Sequence, residues 1–146
     1  MKRAPRQSIA RGNLWLVRDR KTVDEMLAEA RARLRRLGPH EASAAVDDGA
    51  VIIDIRPGSR RVTDGAVPGA LCFEHTVLQW RCDPSCDARD ERVGGLDRQL
   101  IVMCNEGYSS SLAAASLQEL GFTRATDLDG GFLAWRAAGL PVQPAG

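Results

Sequence analysis

The 146-residue chain sets 20 Lys and Arg against 19 Asp and Glu, a net charge of +1, with 44% apolar and 27% charged residues. That balance excludes a disordered or collagen-like chain, and the length allows one domain of ordinary size rather than two. No apolar run approaches the ~20 residues of a membrane helix, and the N-terminal stretch lacks a signal peptide's apolar core, so a cytoplasmic protein with no membrane partner is expected.

The near-neutral total hides a split. Residues 1–21 carry seven basic side chains (Lys2, Arg3, Arg6, Arg11, Arg18, Arg20 and Lys21) against Asp19 alone. They read as a basic, flexible arm, solvated rather than bound to nucleic acid. A single domain is expected over 22–146. It starts at a capping box, Thr22-Val23-Asp24-Glu25, in which Thr22 bonds the amide of Glu25 and Glu25 reaches back. Val23, Met26, Leu27, Ala30, Leu34 and Leu37 then keep a helical spacing with arginines on the opposite face, which predicts a helix over 22–37, stopped by Gly38-Pro39. A short helix is expected from Pro39 to Asp47, ended by Gly49.

The pattern then changes. Ala50 to Ile55 is a β-branched run, as in a strand buried on both faces of a parallel sheet. Gly69 to Phe73 reads as a second, short strand and Thr76 to Trp80 as a helical turn, with Trp80 and Trp135 as core anchors. Residues 81–98 are charged, contain Gly94-Gly95 and read as a surface loop. Leu100 to Met103 is another buried strand running straight into Cys104. Ser109 to Leu120 reads as a helix, Ala125 to Leu128 as a last strand and Phe132 to Ala138 as a last helix. Strands alternating with helices predict an α/β domain with a mostly parallel sheet.

Ligands of open parallel sheets gather beyond the carboxyl ends of the strands. Cys104 is placed at such an end, followed by a tight loop, Asn105-Glu106-Gly107-Tyr108, and the start of a helix. Successive amides from Asn105 to Ser110 can curl around one point as an anion-binding nest, and the helix dipole adds positive potential there. A thiol at that point has a depressed pKa and is a strong nucleophile. Gly107 supplies the positive φ that so tight a loop needs. The competing reading is a buried structural cysteine; a loop this compact favours function.

These residues resemble the rhodanese (sulfurtransferase) family over roughly 37–142. Asp54-Ile55-Arg56 is similar to the family's Asp-x-Arg, Gly65-Ala66-Val67-Pro68-Gly69-Ala70 to its Gly-His-Ile-Pro-Gly-Ala, and Cys104 to Ser109 to its six-residue active-site loop. Gly130-Gly131-Phe132, Trp135 and Gly139-Leu140-Pro141-Val142 resemble its closing motif. The resemblance implies a three-layer domain of the single-domain type, its central sheet flanked by helices on both faces. It also implies sulfur transfer through a Cys104 persulfide, from a small donor such as thiosulfate to a thiophilic acceptor such as cyanide. The anion cradle would be Asn105, Glu106, Gly107, Tyr108, Ser109 and Ser110. No metal or organic cofactor is needed, because amides alone can hold a persulfide anion.

Several positions depart from the family pattern. Many single-domain relatives have Arg where Ser109 stands, and Ala66 replaces the histidine of Gly-His-Ile-Pro. Glu106 puts a negative charge where relatives that take thiosulfate often have a basic residue, which weighs against thiosulfate as the natural donor. Arg56, Arg60 and Arg61, beyond the Asp54 strand, are candidate partners for an anionic donor, with a structural ion pair as the alternative for Arg56. Asp54 is expected to be structural. Two alternatives stand beside the enzyme. One is a sulfur-relay or interaction module loaded by a protein persulfide donor. The other is a cysteine phosphatase or arsenate reductase of the same fold, whose longer loop ends in an arginine where this chain has Ser110.

Overall fold

Two apolar runs form the middle of the sheet. The computed structural model describes residues 20–145, and in it β1 (Val51–Asp54) and β3 (Leu100–Met103) pair in parallel, Val51 opposite Leu100 through Asp54 opposite Met103. Every residue of both strands is buried, which is why neither shows the apolar–polar alternation of a one-sided strand. Short outer strands complete the sheet, β2 (Leu71–Cys72) beside β1 and β4 (Thr126–Asp127) beside β3, giving the order β2-β1-β3-β4 with all neighbours parallel. The expected basic arm lies outside the described residues apart from Arg20 and Lys21.

Helices cover both faces, as expected for three layers. On one side Ile53, Phe73, Leu100, Val102 and Cys104 pack with Leu78 and Cys82 of α4 (Leu78–Cys82) and Ala113, Ala114 and Leu117 of α5 (Ser109–Glu119). On the other side Ile52, Ile101 and Met103 meet Ala42 of α2 (Pro39–Asp47) and Phe132 and Trp135 of α6 (Gly131–Ala137). Trp135 is 4% exposed, and its indole N–H donates to the Pro141 carbonyl at 2.8 Å.

The N-terminal helix α1 (Val23–Ala32) packs on α5 and opens with both halves of the expected capping box. The Glu25 amide donates to Thr22 Oγ1 at 3.1 Å, and the Thr22 amide to Glu25 Oε1 at 2.9 Å. This helix ends at Ala32, not at Leu37. Leu37 instead makes a parallel bridge to Leu128, taking the Asp127 carbonyl at 3.2 Å and giving its own carbonyl to the Asp129 amide at 2.8 Å. Pairing the open edge of β4 satisfies backbone groups that a helix would have left exposed there, and Leu37 is buried all the same. The helical spacing of Leu34 and Leu37 is therefore coincidental.

Two further corrections concern the segments around β2. Gly58–Asp64 is a helix, α3, where no element was expected. Trp80 is 58% exposed rather than a core anchor, because α4 turns Leu78 and Cys82 inward instead. Within the charged stretch 81–98, a 3-10 turn (Glu91–Val93) buries Val93.

Candidate active site

Pairing of Asp54 with Met103 brings the carboxyl ends of β1 and β3 level, and the Ile55 amide donates to the Met103 carbonyl at 2.9 Å. The next residue, Cys104, is 7% exposed and faces the α5 side of the sheet. The backbone then turns within a few residues into α5, and the Gly107 amide donates to Cys104 Sγ at 3.1 Å.

Two opposing effects act on this thiol. Burial pushes its pKa up; the hydroxyl and amide of Ser110, the hydroxyl of Ser109 and the amide of Gly107 pull it down. The donors prevail, and Cys104 lies below the ordinary thiol value. Ser110 Oγ is also 2.7 Å from Asp127 Oδ2. A hydroxyl has one proton, so Ser110 serves the sulfur or the carboxylate at any moment, not both.

Amides that point into the cup leave carbonyls pointing out, and these need partners of their own. The N-terminal amides of α6 take two of them, Phe132 bonding the Cys104 carbonyl at 2.8 Å and Leu133 that of Asn105 at 3.1 Å. The Tyr108 carbonyl accepts from the Ser111 amide at 3.1 Å. The Gly107 carbonyl accepts from two guanidinium groups, Arg31 Nη2 at 2.8 Å and Arg36 Nη2 at 2.9 Å.

Glycine is required where these pieces meet. Gly107 has φ +90°, and a Cβ there would lie 2.7 Å from the Gly130 amide nitrogen. A Cβ at Gly131 would lie 2.5 Å from the Cys104 carbonyl oxygen. The Gly-Gly pair therefore lets α6 approach closely enough to cap the loop.

Beneath the loop lies a polar cluster that the sequence reading missed. Asp127, fully buried at the end of β4, accepts from the hydroxyls of Ser110 and Ser111 at 2.7 Å each, and from Arg36 Nε at 2.9 Å and Nη2 at 3.1 Å. Arg36 also pairs with Asp129 at 3.2 Å, and Arg31 Nε reaches Ser111 Oγ at 3.1 Å. The guanidinium of Arg31 lies 5.6 Å from the centre of the Tyr108 ring. From the sequence, Arg31 and Arg36 both belonged to the arginine face opposite the apolar positions of the expected helix.

The residues beyond β1 go elsewhere. Asp54 and Arg56 are both buried, with Arg56 Nη2 2.8 Å from Asp54 Oδ2 and 2.9 Å from the Gly65 carbonyl. The Arg56 guanidinium also stacks on Phe132, 3.8 Å from the ring centre. Arg61 donates to the Arg56 carbonyl at 2.6 Å, and Arg60, 52% exposed, pairs with Asp64 at 3.6 Å. Asn105 is partly buried, while Glu106 and Tyr108 are exposed at the mouth of the loop.

A thiol held below its ordinary pKa by the Gly107 amide and the serines that follow, at the carboxyl edge of a parallel sheet, defines a cysteine-centred α/β domain. The Rhodanese-like domain model matches residues 38–138, and the chain belongs to that family. Among curated relatives it is similar to the thiosulfate sulfurtransferase GlpE of Stutzerimonas stutzeri, 37% identical over 102 residues (70% of this chain, 84% of the relative). GlpE of Pseudomonas fluorescens is 33% identical over 106 residues, covering 73% of this chain and 88% of the relative. Among solved structures, a Rhodopseudomonas palustris protein of unknown function, described as a "possible tyrosine phosphatase", matches with a TM-score of 0.77 at 30% identity, over 86% of this chain and 96% of its own.

Proposed function

We propose that this sulfurtransferase works through a persulfide on Cys104. The observation that carries the reading is the Gly107 amide 3.1 Å from a buried Cys104 sulfur, within a loop whose serines also donate to it. The thiolate attacks the outer sulfur of a donor such as thiosulfate. A new S–S bond forms, the donor's S–S bond breaks, and sulfite leaves with the electron pair. Cyanide or another thiophile then takes the outer sulfur, forming thiocyanate and returning the Cys104 thiolate. The anionic sulfur stays within reach of fixed amides in both states, so no solvent need reorganise around it.

The loop also speaks against phosphoryl chemistry. A phosphatase needs an arginine to clamp the equatorial oxygens, and the sixth position after Cys104 is Ser110, buried against Asp127. Arg31 and Arg36 do reach the loop, but they bind the outer carbonyl of Gly107. Intact-protein mass spectrometry after exposure to thiosulfate tests the proposal. One added sulfur that a reductant removes, absent in Cys104→Ser, is expected. No added sulfur from thiosulfate or 3-mercaptopyruvate, combined with loading from a desulfurase, would replace the small-donor enzyme with a relay module.

A further inference from the structure

We propose that Arg31 and Arg36 are positioning residues that set the shape of the Cys104 loop by clamping the Gly107 carbonyl from outside. The inference rests on Cys104 being the reacting thiol and adds a device to it. Both arginines precede residue 38, where the match to the family model begins, so the clamp comes from the segment N-terminal to that match.

The peptide unit between Gly107 and Tyr108 is planar and trans, so its carbonyl and its N–H point in opposite directions. The chain has no cis peptide bonds among the described residues. Two cationic donors at 2.8 and 2.9 Å hold the oxygen outward, and the Tyr108 N–H is thereby turned away from them, toward the concave side. Gly107, at φ +90°, is the residue of the loop most free to rotate, and a glycine peptide unit without such an anchor flips readily. A charged donor makes a stronger bond than a neutral one, and here two share one acceptor.

The clamp is itself held. Arg36 is fixed by both carboxylate oxygens of Asp127 and by Asp129, and Arg31 by Ser111. Asp127 also takes the hydroxyls of Ser110 and Ser111 at the start of α5. One buried carboxylate thus ties the arginine behind the loop to the serine in front of it. The charged groups on the elements that meet here are Arg31 from α1, Arg36 before α2, the Asp54–Arg56 pair at the end of β1, Asp127 at the end of β4 with Asp129 just beyond it, and Glu106 in the loop itself. Arg36 acts in a second way, since its positive charge and the negative charge of an ionised Cys104 attract each other.

The test is the pH dependence of Cys104 alkylation by iodoacetamide, read by peptide mass spectrometry on the full chain. Alkylation needs no sulfur donor, so a failure of sulfur transfer and a failure of the clamp are separable. Arg31→Met leaves the Arg36–Asp127 pair in place and is expected to raise the alkylation midpoint by about half a pH unit, roughly threefold in rate below it. Arg36→Met is expected to raise it by about one unit, near tenfold. Arg31→Lys, which keeps the charge but not the fork, should recover part of the loss. An Arg31→Met chain that melts like wild type and keeps the wild-type midpoint overturns the proposal. That variant decides alone should Arg36→Met leave Asp127 unpaired and the chain unfolded.

Discussion

Cys104 and Cys82 are both buried thiols on the same face of the sheet, 7% and 1% exposed. Burial pushes both pKa values up. At Cys82 burial prevails, and the thiol is pushed up to about 12. At Cys104 the amides and hydroxyls of the loop reverse the outcome. The difference comes from backbone geometry. Cys82 lies within a helix, where the amides are already bonded to carbonyls, whereas Cys104 follows a strand end, where the chain turns and its amides are free to converge.

The largest expected effect follows from that contrast. Cys104→Ala should abolish sulfur loading, while Cys82→Ala should leave it within about twofold, because a thiol this far from ionisation gives no nucleophile near neutrality. The sign of the pH dependence is fixed by the shifts. Thiolate reactivity at Cys104 persists below the ordinary thiol value and is lost as the pH falls through its lowered pKa. Cys82 gains reactivity only as the pH rises toward about 12. At pH 7 peptide mapping should find Cys104 alkylated at least ~100-fold faster than Cys82, and equal rates would dissolve the comparison.

The second effect tests whether loop shape, rather than the cysteine alone, makes the difference. Gly107→Ala forces a side chain into a left-handed conformation, at a cost of about 1–2 kcal/mol. It also sets a Cβ 2.7 Å from the Gly130 nitrogen. Together these should lower unfolding stability by about 2 kcal/mol or more and slow transfer at least ~10-fold. Gly139→Ala is the control. It has a similar φ of +75° but nothing within 4 Å of its added carbon, so it should lose stability without losing transfer. Equal loss of activity in the two variants would mean that global destabilisation explains both.

What the sequence disclosed follows the same division between local and distant causes. The buried strands, α2, the capping box and the thiol at the end of β3 were legible because each is written in a few neighbouring residues. The Gly130-Gly131 pair was legible as a motif, but its reason, close approach of α6 to the Cys104 carbonyl, needed three dimensions. The clamp was not legible. Arg31 and Gly107 are 76 residues apart and Arg36 and Asp127 are 91 apart, and an arginine that bonds a buried carbonyl looks in sequence like any solvated one. Trp80 failed in the opposite sense, since helical spacing alone did not say which face α4 would turn inward.

The smallest expected effect concerns the mouth of the loop rather than its walls. Glu106 is exposed in the loop, two residues after Cys104. A unit charge at contact distance is worth about 1 kcal/mol in water, and less once salt screens it. Glu106→Lys replaces a weak repulsion with a weak attraction, so the rate with thiosulfate should rise about two- to fivefold at low ionic strength. The gain should appear in KM rather than kcat, because an exposed side chain alters the approach of the donor and not the sulfur attack within the cup. It should also shrink as salt is added and leave Cys104 alkylation by uncharged iodoacetamide almost unchanged. An unchanged or lower thiosulfate rate at low salt would remove Glu106 from the selection of donors. A rise in both thiosulfate turnover and alkylation would mean instead that the substitution had altered the thiol itself.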